Sequence, residues 1–313
     1  LEVDAMENKI VVGTLNSPSC QVSSQVSTHF ESMELEGLGH SVTSVQGFES
    51  GIDSLSQGDL DLLALPATET LGREVEIRGR GCQIVGARTP RRPSLVLVSP
   101  DRLMYQPKSA IIVSDSELVR RQLLRARPDL QAISPEGLEG LVAGFNPPSD
   151  PGDRSRLLAE LLGEGEIDGF VISRAEYEET GQSERRHTLM PQPKERGAPH
   201  FIPLPYSDLI AVVSRVGFPN RLAAKLTEPE GNTALWVQSR IMGDLDPSMH
   251  GLVGLEVKHR QVGAILRQAE ANRDLVLEQS CHDPDGEIFH DEVRVEIRIE
   301  TISQDGRRTL SLE

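Results

Sequence analysis

Short apolar runs alternate with helix-compatible stretches from the start of this chain, and that alternation limits the fold more than any other feature. Lys9-Ile-Val-Val-Gly13 precedes a polar helical pattern over 19–33, Ser41-Val-Thr-Ser-Val45 follows, and Asp61-Leu-Leu-Ala-Leu65 comes next. Strand, helix and strand in that order predict βαβ units and a mostly parallel sheet. Ser94-Leu-Val-Leu-Val-Ser99 reads as the last strand of this unit, ahead of a proline-bearing connector over 100–107. A second α/β unit follows, with strand 110–113, helices 116–127 and 154–163, and strand 169–173. The prolines, glycines and acids of 144–153 mark a loop between its helices.

A second proline-rich connector spans 191–205, and Leu209-Ile-Ala-Val-Val213 reads as a strand returning to the first sheet. Two crossings between lobes imply a hinged cleft. From Gly217 a third unit offers two helices, then strands near 252–257, 275–278 and 293–299, with Pro284-Asp-Gly286 as a turn before the last. The chain has 313 residues, enough for two or three domains. The expected fold class is α/β with three domains: lobe 1 over 6–100 and 203–216, lobe 2 over 108–195, and a small C-terminal domain over 217–313.

Composition narrows the function. With 37% hydrophobic and 26% charged residues the chain reads as a globular protein. No apolar run approaches the roughly 18 residues of a membrane span. The first residues lack a basic region followed by an apolar core, so Met6 is read as the natural start and the cytoplasm as the expected compartment. Cys20, Cys82 and Cys281 form no CxxC pair, which indicates neither a disulfide framework nor a zinc knuckle. A formal net charge of -16 argues against nonspecific nucleic-acid binding.

Against that acidic balance, Ser114-Asp-Ser-Glu-Leu-Val-Arg-Arg-Gln-Leu-Leu-Arg-Ala-Arg-Pro-Asp-Leu130 holds four arginines on one helical segment. It opens after an apolar strand, where serine hydroxyls and free N–H groups can hold an anion. The plainer reading is a solvated helix face. Cys281-His282 and His290-Asp291 flank the Pro-Asp-Gly turn with types that suit zinc, although a hairpin with scattered polar residues is the commoner explanation. Arg185-Arg-His187 and Pro90-Arg-Arg-Pro93 are short basic clusters of the kind that keep a connector solvated.

Several segments together resemble hydroxymethylbilane synthase, the porphobilinogen deaminase family. Gly13-Thr-Leu-Asn-Ser-Pro18 stands where that family has G-T-R-G-S-P, and the arginine-rich stretch matches T-S-S-L-R-R-Q through R-P-D-L without gaps. Gly165-Glu-Ile-Asp-Gly169 looks like G-E-Y-D-A, and Pro203-Leu-Pro205 like P-A-P. The resemblance implies two periplasmic-binding-protein-like lobes around a cleft, a third domain carrying a dipyrromethane on a cysteine, and a place in tetrapyrrole biosynthesis.

Departures from the family pattern fall at its functional positions. Leu15, Leu118, Val119 and Glu136 stand where it has arginines, and Ser94 and Leu95 where it has an arginine and an aspartate. Two residues turn a helix by about 200°, so Arg120 and Arg121 are expected to face solvent. By the resemblance, Thr68 takes the catalytic lysine position and Glu69 that of the aspartate. Ser17, Ser116, Arg120 and Arg121 are the candidate cofactor contacts. Leu245-Asp-Pro-Ser-Met-His-Gly-Leu-Val-Gly254 replaces the attachment loop, and neither Met249, His250 nor Gly251 can form the thioether.

No cofactor and no metal are therefore expected. The expectation is a catalytically degenerate, monomeric family member that binds a small molecule between the lobes or has a regulatory role, with no nucleic-acid or membrane partner. The alternative is an active porphobilinogen-polymerising transferase with altered cofactor anchoring.

Overall fold

A computed structural model describes residues 9–32, 39–89, 94–142, 145–193, 197–207, 209–289 and 293–312. The first lobe runs β1 (Lys9–Thr14), α1 (Val22–Ser32), β2 (Gly39–Ser44), α2 (Phe48–Gln57), β3 (Leu62–Pro66), α3 (Glu74–Gly79) and β4 (Cys82–Arg88). The second holds β5 (Leu95–Val98), β6 (Ile111–Ser114), α4 (Glu117–Ala126), β7 (Gln131–Ile133), α5 (Pro151–Glu164), β8 (Gly169–Ser173), α6 (Arg174–Glu179) and β9 (Arg186–Thr188). β10 (Ile210–Arg215) then returns to the first lobe. The rest of the chain is α7 (Asn220–Ala223) and α8 (Pro229–Asp244), which bury Ala223, Ala234, Leu235 and Met242 in the cores of lobe 1, and then the small third unit of β11 (Val253–Gln261), α9 (Val262–Asn272), α10 (Leu275–Ser280), β12 (Val293–Ile302) and β13 (Thr309–Leu312).

The fold is α/β, with two periplasmic-binding-protein-like lobes and a small third domain. The two lobe sheets share one topology: their strand orders are β2-β1-β3-β10-β4 and β7-β6-β8-β5-β9. In each, three parallel strands meet one antiparallel strand in the fourth place, β10 against β3 and β5 against β8. Leu95–Val98, expected from sequence to close the first lobe, therefore belongs to the second sheet; the first connector between the lobes is 89–94, from β4 to β5, and the stretch 100–107, expected to cross, lies within lobe 2. An apolar four-residue run carries no sign of which sheet will pair it.

Each sheet is packed on both faces. The buried residues of α1, Val22, Val26 and Phe30, repeat every fourth position and lie on one face of the first sheet, while Phe48, Ile52 and Leu55 of α2 cover the other. In the second lobe α4 buries Leu118, Val119, Gln122 and Leu123. Burying a leucine side chain contributes about 1.5–3 kcal/mol, so the register of α4 is fixed by these positions.

The third domain's sheet, β11-β12-β13, is antiparallel. The strand expected over 275–278 is a helix instead. Asp274 caps it, its side chain accepting from Leu277 N at 3.0 Å, and no residue of that run pairs with a strand. The Pro-Asp-Gly turn is present, Gly286 taking φ 85° with its N–H donating to Asp283 O at 3.0 Å. α8 lies so close to β4 that a Cβ at Gly231 would overlap the Ala87 carbonyl, so only glycine fits there.

Candidate functional site

In both lobes the connection after the first parallel strand runs to one side and the connection after the third runs to the other. Such a switch point leaves a crevice beyond the carboxyl ends of the two strands, where α/β sheets bind ligands. In lobe 1 it lies between the loops after β1 and β3, and in lobe 2 between those after β6 and β8.

The two crevices face each other. Ser173 Oγ, at the end of β8, donates to Pro18 O after β1 at 3.2 Å, and Gln21 Nε2 donates to Glu179 Oε2 at 2.5 Å. On the lobe 1 side, Asn16 Oδ1 accepts from Ser23 N at 2.9 Å and fixes the start of α1, while Ser17 and Cys20 exchange backbone hydrogen bonds of 3.0 Å. On the lobe 2 side, Ser116 Oγ caps α4 by accepting from Val119 N at 3.4 Å, and Ser173 Oγ caps α6 by accepting from Glu176 N at 3.0 Å.

Behind the lobe 2 crevice lies a charged cluster. Arg154 bonds Asp115 at 3.0 Å and Pro148 O at 3.0 Å. Burial, opposed by the hydroxyl of Ser155 and reinforced by the charge of Asp115, raises the pKa of Glu176 above the usual carboxylate range. Glu136 sits on the following turn with its pKa lowered, first by its own backbone N–H and then by Ser134, and it is exposed. Burial works against ionisation of Glu117, but hydrogen bonds from Arg121 and Arg120 outweigh it and lower that pKa.

The residues singled out in sequence fall into three groups. Ser17 and Ser116 occupy corresponding loops of the two lobes, after β1 and β6. Thr68 and Glu69 sit on the 3-10 turn after β3, at the lobe 1 rim; Thr68 is exposed, and Glu69 pairs with Arg73 at 3.5 Å. Arg120 and Arg121 do not face solvent: their side chains are 16% and 17% exposed. Arg120 folds back onto Ser114 O at 2.5 Å and Asp115 O at 3.0 Å, and Arg121 reaches Ile302 O of the third domain at 2.8 Å.

Leu118 is fully buried and Val119 nearly so, which makes these positions core and not cleft. Ser173, Gln21, Glu179 and Arg154 were not picked out by sequence reading. One signal was available, since Ser173-Arg-Ala-Glu176 has capping-box spacing. Among the described residues no three His, Cys, Asp or Glu gather as metal ligands. His290 and Asp291 lie outside the described residues, as do Met6 and the cluster 90–93. No helix of the described residues is long and apolar enough to cross a membrane.

No family model and no curated protein sequence matches the chain. Solved structures do match. One is described as an ABC transporter periplasmic substrate-binding protein from Coxiella burnetii, 16% identical over 74% of this chain and 96% of that one, with a TM-score of 0.37. Another is a putative methionine-binding lipoprotein from Bacillus subtilis, 13% identical over 74% of this chain and 90% of that one, TM-score 0.32. A third is lipoprotein Tp32 from Treponema pallidum, 16% identical over 74% and 91%, TM-score 0.35. At such scores the likeness carries no inference about what this chain binds.

These comparisons correct the sequence reading. The chain is not identified as a hydroxymethylbilane synthase: the matching structures are described as substrate-binding proteins and lipoproteins, and no family model matches. The assignment to tetrapyrrole synthesis, as a degenerate member or as an active transferase, falls with it. The burial of Leu118 and Val119 gives a physical reason, because the ungapped match would put the family's cofactor-binding cations in the core of lobe 2. The cytoplasmic placement is corrected on the same finding, since those proteins are described as periplasmic or as lipoproteins.

Proposed function

We propose that this protein binds a small organic molecule between its two lobes and closes on it by rotation about the two connectors. The observation that carries the reading is the meeting of two switch-point crevices, bridged at Ser173–Pro18 and Gln21–Glu179. A chain that crosses twice between lobes of one topology is built for hinge closure.

Charge indicates the class of ligand. The guanidinium groups of Arg120 and Arg154 are engaged by main-chain carbonyls, Glu117 and Asp115, while Glu136 stands exposed and ionised on the turn after β7. A polycarboxylate would meet that charge while both of these guanidinium groups stay engaged, so the site favours neutral polar or cationic ligands.

A thermal-shift screen of the full chain against sugars, amines and polycarboxylates tests this, followed by calorimetry on each hit. Neutral or cationic compounds are expected to bind, and Ser19→Trp, on the exposed loop after β1, should abolish their binding while changing stability by no more than about 0.5 kcal/mol. Hits confined to polycarboxylates, or binding untouched by Ser19→Trp, would remove the interlobe crevice as the site.

A further inference from the structure

A cavity of about 580 Å³ lies away from this crevice, where both connectors meet the third domain. Thr89 and Ser94 bring the first connector to its wall, and Met190, Pro203, Leu204 and Ser207 bring the second. β11 supplies Leu255 through Arg260, and α8 supplies Glu230, Ala234 and Gln238. Its size is within the range of small-molecule sites.

The lining has two characters. Leu204, Leu209, Ala234, Leu255 and Val257 form an apolar side. The other side carries both signs: Lys258 pairs with Glu256 at 3.2 Å, Arg260 with Glu296 at 2.8 Å, and Glu230 lies 3.9 Å from the His259 ring. A ligand carrying both signs can set its ammonium against Glu230 and its carboxylate against Lys258 or Arg260, whereas a ligand of one sign meets only half of that wall. One polar need in the wall is unmet, because the buried Glu256 Oε2 has no hydrogen-bond partner among the described residues.

Both connectors are also held by the chain that follows β10. Thr89 N and Oγ1 donate to Glu228 Oε1 at 2.6 and 2.9 Å, and Leu255 N donates to Pro203 O at 2.8 Å. A molecule filling the cavity would therefore touch the segments about which the lobes turn.

We propose that this cavity is a second binding site, for a small zwitterion with an apolar side chain, and that its occupancy stiffens the second connector over 204–207. L-leucine and L-phenylalanine are the probes, with succinate and putrescine as singly signed controls, in ligand-observed NMR and hydrogen exchange on the full chain. The zwitterions should bind at millimolar concentration and slow exchange over 204–207 and 255–260. Ser207→Trp, which fills the cavity, should weaken binding at least about tenfold, while Ser19→Trp in the interlobe crevice should leave it unchanged.

Glu230→Lys, at a half-buried position that does not depend on filling the core, should reduce zwitterion binding and admit succinate. Absence of zwitterion binding, binding without protection of those amides, binding lost in Ser19→Trp but kept in Ser207→Trp, or succinate refused by Glu230→Lys would each overturn the proposal. The outcome with Ser19→Trp separates this site from the interlobe one, so either reading can fail alone.

Discussion

Glu300 has no exposed side-chain surface, yet it is held ionised. Burial opposes its charge, and the hydrogen bonds from His200, Arg125 and Gln122 outweigh burial and lower its pKa. They join three parts of the molecule: α4 of lobe 2 through Arg125 at 2.7 Å and Gln122 at 2.9 Å, the second connector through His200 at 3.0 Å, and β12 through Glu300 itself. A carboxyl with a depressed folded-state pKa contributes stability above its unfolded value of about 4.3 and loses it as pH falls through the folded value. The melting temperature should therefore fall in acid, and Glu300→Gln should flatten that acid limb in a Tm-against-pH series. Arg125→Ala leaves the buried carboxylate without its guanidinium and should cost about 3 kcal/mol in urea unfolding.

Helix α4 shows what the sequence could and could not say about an element. Its existence, its Ser116 cap and its run of arginines were legible from propensity and spacing. The orientation of the arginines was not, because it depends on which hydrophobic positions find a sheet. Leu118, Val119 and Leu123 settled that, and Arg120 and Arg121 were left partly covered by carbonyls of the preceding loop and of β12. Ser116→Ala should cost about 1 kcal/mol through the lost cap, measured by chemical denaturation. The run 275–278 went the other way: a Leu-Val-Leu triplet favours a strand locally, but Asp274 caps a helix there. Glu69 and Thr68 were placed by resemblance alone, and the structure puts them on the rim of lobe 1 without bringing Ser17 or Ser116 into hydrogen bond with them.

At the scale of the molecule, the two-lobed α/β plan was legible because parallel-sheet units leave a strong alternating pattern; of the two proline-rich crossings expected, 191–205 does lie between the lobes, but 100–107 lies between β5 and β6 within lobe 2, and the first crossing comes earlier, between β4 and β5. The return of β10 to the first sheet was read correctly, but the loss of β5 to the second was not, since strand partners far apart in sequence leave no local mark; β10 pairs with β3 and β4, whereas β5 pairs with β8 and β9. The crevice residues of lobe 2 were hidden for a related reason, because Ser173 acquires its meaning only when β8 is placed beside β6. The third domain was read as a separate unit, and its contacts show it clamped to the second connector.

Hinge closure on a ligand is the central claim, and a distance between the lobes tests it most directly. The three native cysteines are buried, so spin labels can be confined to Ser50→Cys on α2 and Glu160→Cys on α5, both exposed positions. Pulsed electron resonance on the doubly labelled chain, titrated with each compound that passes the thermal-shift screen, should show the label distance shorten to a narrower distribution as the site fills. A distribution that stays the same from free to saturated protein would contradict the account.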